Sequence, residues 1–196
     1  MLSEYLEKEG YTSGMIEGYS EQISGQVKRL KELVNQGNII EVMEIGFNAG
    51  HSANIFLEAN SKIRLTSFDI GTHKYVNVGK KYIDTHYPNR HTLILGDSTI
   101  TVPQYIKENV NKKFDLIFID GGHDYGIVKV DVMNCKLLAH KDSIIIMDDV
   151  VTQSKRAWNF GPNRVYGELI KKNEIKDVKL EEYQTGRGIV WFKYNL

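Results

Sequence analysis

One cysteine, three prolines and no surplus of either charge set the first limits on this 196-residue chain. A lone Cys135 excludes an internal disulfide and a thiolate zinc cluster. It shares helical spacing with Val128, Val132 and Leu138, which reads as a small core residue rather than a nucleophile. Lys plus Arg equals Asp plus Glu at 25 each, so no basic platform for nucleic acid is expected. Pairs such as Lys112-Lys113 and Lys171-Lys172 read as solvated faces. No apolar run approaches the length of a membrane span, and the opening MLSEYLEKEG is too acidic and polar for a signal peptide. Repeats and low-complexity linkers are also missing. The expectation is one soluble, cytoplasmic globular unit with a substantial core and no nucleic-acid or membrane partner.

What is present is an alternation of short apolar runs and helical patterns. Ile16, Tyr19, Ile23, Val27, Leu30 and Val34 predict an amphipathic helix over 15–34, closed by Gly37. Strands are predicted at 39–45, 63–69, 91–95, 114–120, 143–148, 177–181 and 188–194, and further helices at 51–60, 75–86, 103–109, 125–139 and 163–173. Pro103 suits the first turn of its helix. Alternating strands and helices imply right-handed crossovers and a parallel sheet. The last two strands leave no room for a helix between them and predict an antiparallel hairpin at one edge. Residues 1–14 and 150–162 carry little periodicity and read as a mobile lead-in segment and an active-site loop. The expected fold is therefore α/β: a Rossmann-like three-layer sandwich, with a seven-stranded, mostly parallel sheet. Residues 1–37 would form a helical cap and 38–196 the ligand-binding domain.

The stretch Glu44–Gly50, EIGFNAG, is the most informative in the chain. It joins an apolar strand to a helix, and a Gly-rich turn there lets the backbone approach a ligand closely. Glu44 argues against a phosphate at that turn and for a cationic or hydroxyl-bearing ligand. Open α/β sheets bind ligands at the carboxyl ends of their strands. Reading those ends off the sequence gives Glu44 and Gly46, then Asp69, then Gly96-Asp97-Ser98, then Asp120, then Asp148-Asp149. Every tip carries an acid. Clustered carboxylates repel one another, so something polar or cationic belongs among them.

With these residues in hand, the chain resembles a class I S-adenosylmethionine-dependent methyltransferase from about residue 10 onward. The branch it looks like is that of small-molecule O-methyltransferases (methyltransferase domain 24-like, catechol O-methyltransferase-like). EIGFNAG resembles the family's first motif, and FDLIFIDGGH its fourth. The resemblance implies S-adenosylmethionine as cofactor and S-adenosylhomocysteine as product. It places Gly46, Asn48 and Gly50 along the methionine part with Glu44 nearby, Asp69 on the ribose hydroxyls, and Asp97 with Ser98 at the adenine. The implied contact set also takes in Phe47, Ile70, Gly96 and Asp120. A dinucleotide-binding dehydrogenase is the rival, but Phe47-Asn48-Ala49 stands where the Gly-x-Gly-x-x-Gly fingerprint needs further glycines.

A hydroxyl acceptor needs help to lose its proton, from a metal or from a positioned base. Asp120, Asp148 and Asp149 match the metal positions of catechol-type enzymes and predict Mg2+ or another divalent cation, with Asp120 also serving the reaction. His123, in a Gly-Gly-His-Asp loop, is the candidate base or a further metal ligand. Catechol-type enzymes carry lysine at that offset; Asp-Gly-Gly-His resembles the branch that often acts on sugar or natural-product hydroxyls. Trp158 and Phe160 in the segment 152–164 would wall a substrate pocket, with Arg156 or Arg164 meeting an anionic group. By resemblance, Tyr11–Met15 would close over the cofactor. His51 reads as a cap that touches the cofactor at most, and His73 has no assigned role. The expected activity is O-methyl transfer to a small molecule or sugar hydroxyl, with a homodimer open as the assembly. The alternatives are metal-independent or nitrogen-directed transfer, or a cofactor-binding subunit without catalysis.

Overall fold

A computed structural model describes residues 1–17, 20–153, 155–184 and 186–196. Tyr19 of the first predicted helix and Ser154 of the predicted loop lie outside the described residues. Seven strands form one sheet: β1 Glu41–Ile45, β2 Arg64–Asp69, β3 His91–Leu95, β4 Phe114–Ile119, β5 Ala139–Asp148, β6 Ile175–Gln184 and β7 Arg187–Tyr194. Their order is β3-β2-β1-β4-β5-β7-β6. The first five run parallel; β7 pairs antiparallel with both β5 and β6. Gln184 faces Arg187 across the hairpin turn, which is too short for a crossover.

The helices are α1 Leu2–Lys8, α2 Ser24–Val34, α3 His51–Ala59, α4 Tyr75–His86, α5 Ser98–Glu108, α6 Tyr125–Leu138 and α7 Phe160–Lys171. Strands β1 and β4 and the last four residues of β5 are almost continuously buried, because both sheet faces are covered there. One core cluster joins Val42, Leu65 and Phe118 to Ile55 and Phe56 of α3 and Ile83 of α4. The other joins Met43, Ile117 and Ile145 to Val102 of α5, Val132 of α6 and Val165 of α7. The Rossmann-like three-layer sandwich expected from the sequence is the architecture found. No helix among the described residues is long and apolar enough to cross a membrane.

Several boundaries differ from expectation. The lead-in segment is not free: α1 buries Leu2 and Leu6 completely, and Tyr5 packs on Tyr82 of α4 at 5.4 Å. Two leucines one turn apart are too few to show as periodicity. The helix predicted from residue 15 starts only at Ser24, because Ile23 is extended at its N-cap, and a short 3-10 turn, Ser20–Gln22, precedes it. Helix α5 begins at Ser98 rather than at Pro103, because Asp97 caps it by accepting from the Thr99 amide at 2.8 Å. Pro103 therefore sits inside the helix. Residues 157–162 belong to a 3-10 turn and the first turn of α7, so only the front of the predicted loop is loop.

Sheet register positions the site. Ile45 is level with Phe68 on one side and with Ile119 on the other, so Gly46, Asp69 and Asp120 emerge abreast. Ile119 is level with Met147, which brings Asp148 out beside Asp120. The strand order reverses between β1 and β4, the switch point where such sheets bind ligands. If α1 is part of the core, Leu6→Ala should lower unfolding stability by about 2–5 kcal/mol. Equilibrium urea denaturation checks this; a loss below about 0.5 kcal/mol, as for an exposed site, would show α1 to be dispensable.

Candidate active site

The turn after β1 is built on backbone proximity. Gly46 has φ +97°, and a Cβ there would lie 1.9 Å from the Asp120 carbonyl oxygen. Its amide donates to Phe68 O at 2.8 Å, and the Asp120 amide donates to Ile45 O at 2.9 Å. Only glycine permits this approach, which opens space above β1 and β4. Asn48 takes φ +53° in the same turn. Its amide donates to Asp69 Oδ2 at 2.8 Å, and the Gly71 amide donates to Asp69 Oδ1 at 2.8 Å. Asp69 is thus locked in place with acceptor capacity left on each oxygen. A cavity of about 270 Å³ lies above, lined by Gly46, Asn48, Asp69, Ile70, Asp97, Ser98 and Asp120, among others. Two larger hollows lie away from this rim. One of about 740 Å³ sits at the amino ends of the strands, around Asp115, His140 and Trp191.

Beside the cavity stands a compact acid cluster. Ligand atoms of Asp120, His123 and Asp149 lie within 4.8 Å of one another. His123 Nε2 is 2.9 Å from Asp149 Oδ2, and Arg187 Nη1 is 3.6 Å from Asp149 Oδ1. Asp149 is 2% exposed, and its Oδ1 has no hydrogen-bond partner. Its backbone sits at φ +58°, a conformation Asp tolerates better than most residues. Asn159, wholly buried, holds it there by donating to Asp149 O at 2.7 Å. Asp148 turns elsewhere: its Oδ2 accepts from Gln26 Nε2 of α2 at 2.8 Å and its Oδ1 from the Asp149 amide at 2.8 Å.

Burial, reinforced by Asp148 and Asp149, raises the Asp120 carboxyl well above the ordinary carboxylate range. Asp148 is pushed to about 6, first by burial and then by Asp149. His123 moves up, because its bond to Asp149 outweighs the desolvation that opposes it. Two carboxylates and an imidazole whose ligand atoms lie this close together make a donor set that suits a divalent cation.

The methyltransferase domain 24 family profile matches residues 43–150, more than half of the chain. This chain belongs to that methyltransferase family. Among solved structures, it resembles an O-methyltransferase from Bacillus cereus in complex with S-adenosylhomocysteine. That match has 19% identity, 99% of this chain and 90% of the other covered, and a TM-score of 0.78. It also resembles TomG, an O-methyltransferase of tomaymycin synthesis from Streptomyces achromogenes in complex with S-adenosylmethionine (14% identity, 98% and 87% covered, TM-score 0.75). A third is the TDP-rhamnose 3′-O-methyltransferase of calicheamicin biosynthesis (20% identity, 87% and 77% covered, TM-score 0.67). No curated protein matches the sequence. The fold is that of class I S-adenosylmethionine-dependent methyltransferases, and the protein is such an enzyme.

Within this methyltransferase, the sequence-predicted residues divide into three groups. Gly46, Asn48, Asp69, Ile70, Asp97, Ser98 and Asp120 line the cavity. Glu44, Phe47, Gly50 and Gly96 do not. Phe47 is buried and stacks on His91 at 5.1 Å, and its ring closes over Gly50. Glu44 points into the interior, where Ser52 Oγ donates to it at 2.7 Å and Ser67 Oγ at 2.5 Å. The predicted metal trio exchanges one member: His123 joins Asp120 and Asp149, while Asp148 is committed to Gln26. Tyr11–Met15 do not line the cavity; Tyr11 instead meets Tyr75 edge-on at 6.0 Å. His51 is buried at the start of α3, where burial lowers it to about 4. His73 lines the cavity, stacked on Tyr75 at 4.8 Å.

Sequence reasoning missed Gln26, Arg187 and Asn159. Gln26 was detectable as a polar residue within the apolar stripe of α2, three residues from Ile23 and four from Leu30. Arg187 and Asn159 carried no comparable signal.

Glu44 yields a pH prediction. Burial raises it to about 7 against an ordinary value near 4.5, with Ser67 and Ser52 opposing. The folded state therefore binds this proton more tightly than the unfolded state does. Its contribution to stability is present below about pH 4.5 and is lost as pH rises towards 7. Glu44→Gln should lose less stability than the wild type between pH 5 and pH 8 in parallel urea titrations. Identical pH slopes would contradict this.

Proposed function

We propose that this methyltransferase transfers the methyl group of S-adenosylmethionine to a hydroxyl of a small molecule or sugar. One observation carries the reading: Asp120 lines the cavity above Gly46 and Asp69 and also belongs to the cluster with His123 and Asp149. A donor in the cavity and an acceptor at the cluster would meet across one residue. The Gly46 approach and the preset Asp69 carboxylate suit a ligand with vicinal ribose hydroxyls. The neighbours that hold S-adenosylmethionine or its product share this fold and support the same ligand here.

His123 is the general base in this reading. Asp149 accepts from Nε2–H, which leaves Nδ1 as the basic nitrogen for the acceptor hydroxyl. The proton passes to imidazole, the oxygen bonds to the methyl carbon, and the carbon–sulfur bond breaks to leave the thioether product. Buried Asp149 orients the imidazole and stabilises the imidazolium that forms. Asp120 and Asp149 would hold a divalent cation, and Asp149 Oδ1 accepts no hydrogen bond among the described residues. Such a cation supplies Lewis acidity that lowers the hydroxyl pKa. Gln26 keeps Asp148 turned away, so the site presents two carboxylates to the acceptor rather than three.

The test follows release of S-adenosylhomocysteine from S-adenosylmethionine over a panel of sugar and phenol acceptors with Mg2+. Turnover should require a hydroxyl acceptor, and the rate should rise with pH as His123 loses its proton. His123→Ala should lower kcat by about 10²–10⁴-fold. Asp69→Asn should weaken S-adenosylhomocysteine binding by tenfold or more in calorimetry. Retained turnover within twofold in His123→Ala would remove the base, and unchanged cofactor binding in Asp69→Asn would remove the donor site.

A further inference from the structure

A further hollow, of about 330 Å³, lies at the start of α7 and is lined by Lys155, Arg156, Ala157, Phe160, Asn163 and Arg164. Three of these side chains are cationic and none is acidic. Neither Lys155 nor Arg156 forms an ion pair among the described residues. The Arg164 guanidinium carbon lies 3.9 Å from the centre of the Tyr125 ring, a cation–π contact that holds the side chain. Its acidic neighbour, Glu168 at 3.7 Å, is shared with Lys129 and the Tyr125 hydroxyl.

Asn163 adds an independent sign. Its Oδ1 accepts from the Val151 amide at 3.1 Å, which fixes the side chain. Its Nδ2 is buried and has no hydrogen-bond partner among the described residues, a donor in need of an acceptor. Phe160 is 67% exposed at the same hollow, an unusual cost for a ring that nothing covers.

The hollow adjoins the proposed reaction centre on two sides. Gly161, next to Phe160, packs so closely that a Cβ there would lie 2.0 Å from His123 O. Gly186, next to Arg187, lies against Arg156 Cγ and Trp158, and Trp158 Nε1 donates to Gly186 O at 3.1 Å. Arg156 and Arg164 thus flank the residues that hold His123 and Asp149.

Resting on the methyl-transfer reading above, we infer that the acceptor is a phosphorylated small molecule. Its phosphoryl group sits among Lys155, Arg156, Arg164 and the Asn163 amide while its hydroxyl lies at His123. Phosphoryl oxygens take charge-assisted hydrogen bonds from guanidinium groups and would accept the unpaired Asn163 donor. The hollow offers three cationic side chains and no acid, so it suits the anion better than the carboxylate-lined cluster does. That fixes which end of the acceptor faces the methyl donor.

Calorimetry on the full chain, without divalent cations, tests this with pyrophosphate and uridine diphosphate as probes and S-adenosylhomocysteine in a parallel titration. Both probes should bind, and the pair Lys155→Gln/Arg156→Gln should weaken both at least tenfold, with S-adenosylhomocysteine affinity kept within twofold. Lys62→Gln, on the far side of the sheet, should change neither probe. Uridine diphosphate binding tenfold tighter than pyrophosphate would identify a nucleotide stacked on Phe160; equal affinities would identify a simple phosphate ester. Absence of binding by both probes would overturn the proposal. So would equal affinity in the Lys155/Arg156 variant, or an equal loss in Lys62→Gln. Arginine-dependent probe binding without S-adenosylhomocysteine binding would remove the methyl-donor reading and leave the anion site. The reverse pattern would remove only the anion site.

Discussion

The site is governed by one electrostatic constraint. Three aspartates, Asp120, Asp148 and Asp149, emerge side by side at the ends of β4 and β5, with Asp148 and Asp149 buried and Asp120 partly so. Like charges at that spacing in low dielectric cannot all stay ionised without compensation. Each neighbour answers part of this demand. His123 and Arg187 flank Asp149, Gln26 turns Asp148 aside, and Asp120 holds its proton to unusually high pH. A fold with no use for these acids would be more stable with apolar side chains there. Their retention is best explained by chemistry at the rim.

The same constraint links distant parts of the chain. Gln26 lies on α2, and its bond to Asp148 spans 122 positions of sequence. Arg187 comes from the hairpin that closes the sheet, and Asn159 from the turn that opens α7. The N-terminal helices and the C-terminal hairpin therefore do more than cover the sheet. They set the charge and direction of side chains carried by the central strands. Glu44 plays a comparable part beneath the Gly46 turn, where its bonds to Ser52 and Ser67 tie α3 and β2 to β1.

The legible part of the molecule was the part set by local pattern. Apolar runs marked the strands, and their ends marked Gly46, Asp69 and Asp120, because a parallel sheet aligns strand tips by register. Side-chain direction was not legible. Nothing within a few residues of Asp148 tells that Gln26 will claim it, so the direction of that carboxylate could not be read from its strand end. Glu44 looked like a ligand contact from its place at a strand end, yet strand alternation turns it inward. Asp97 illustrates a mixed case: it lines the cavity, and it also caps α5, which set that helix's start five residues ahead of Pro103.

The central claim is that Asp120 and Asp149 hold a cation beside the cavity, with His123 as the base at the same cluster. Manganese titration followed by electron paramagnetic resonance, with S-adenosylhomocysteine present, tests it most directly. The account predicts one tightly bound Mn2+ per chain, lost in Asp149→Asn and kept in Asp148→Asn, with cofactor affinity unchanged. A chain that binds no Mn2+, or one that binds it equally well after Asp149→Asn, would contradict the account.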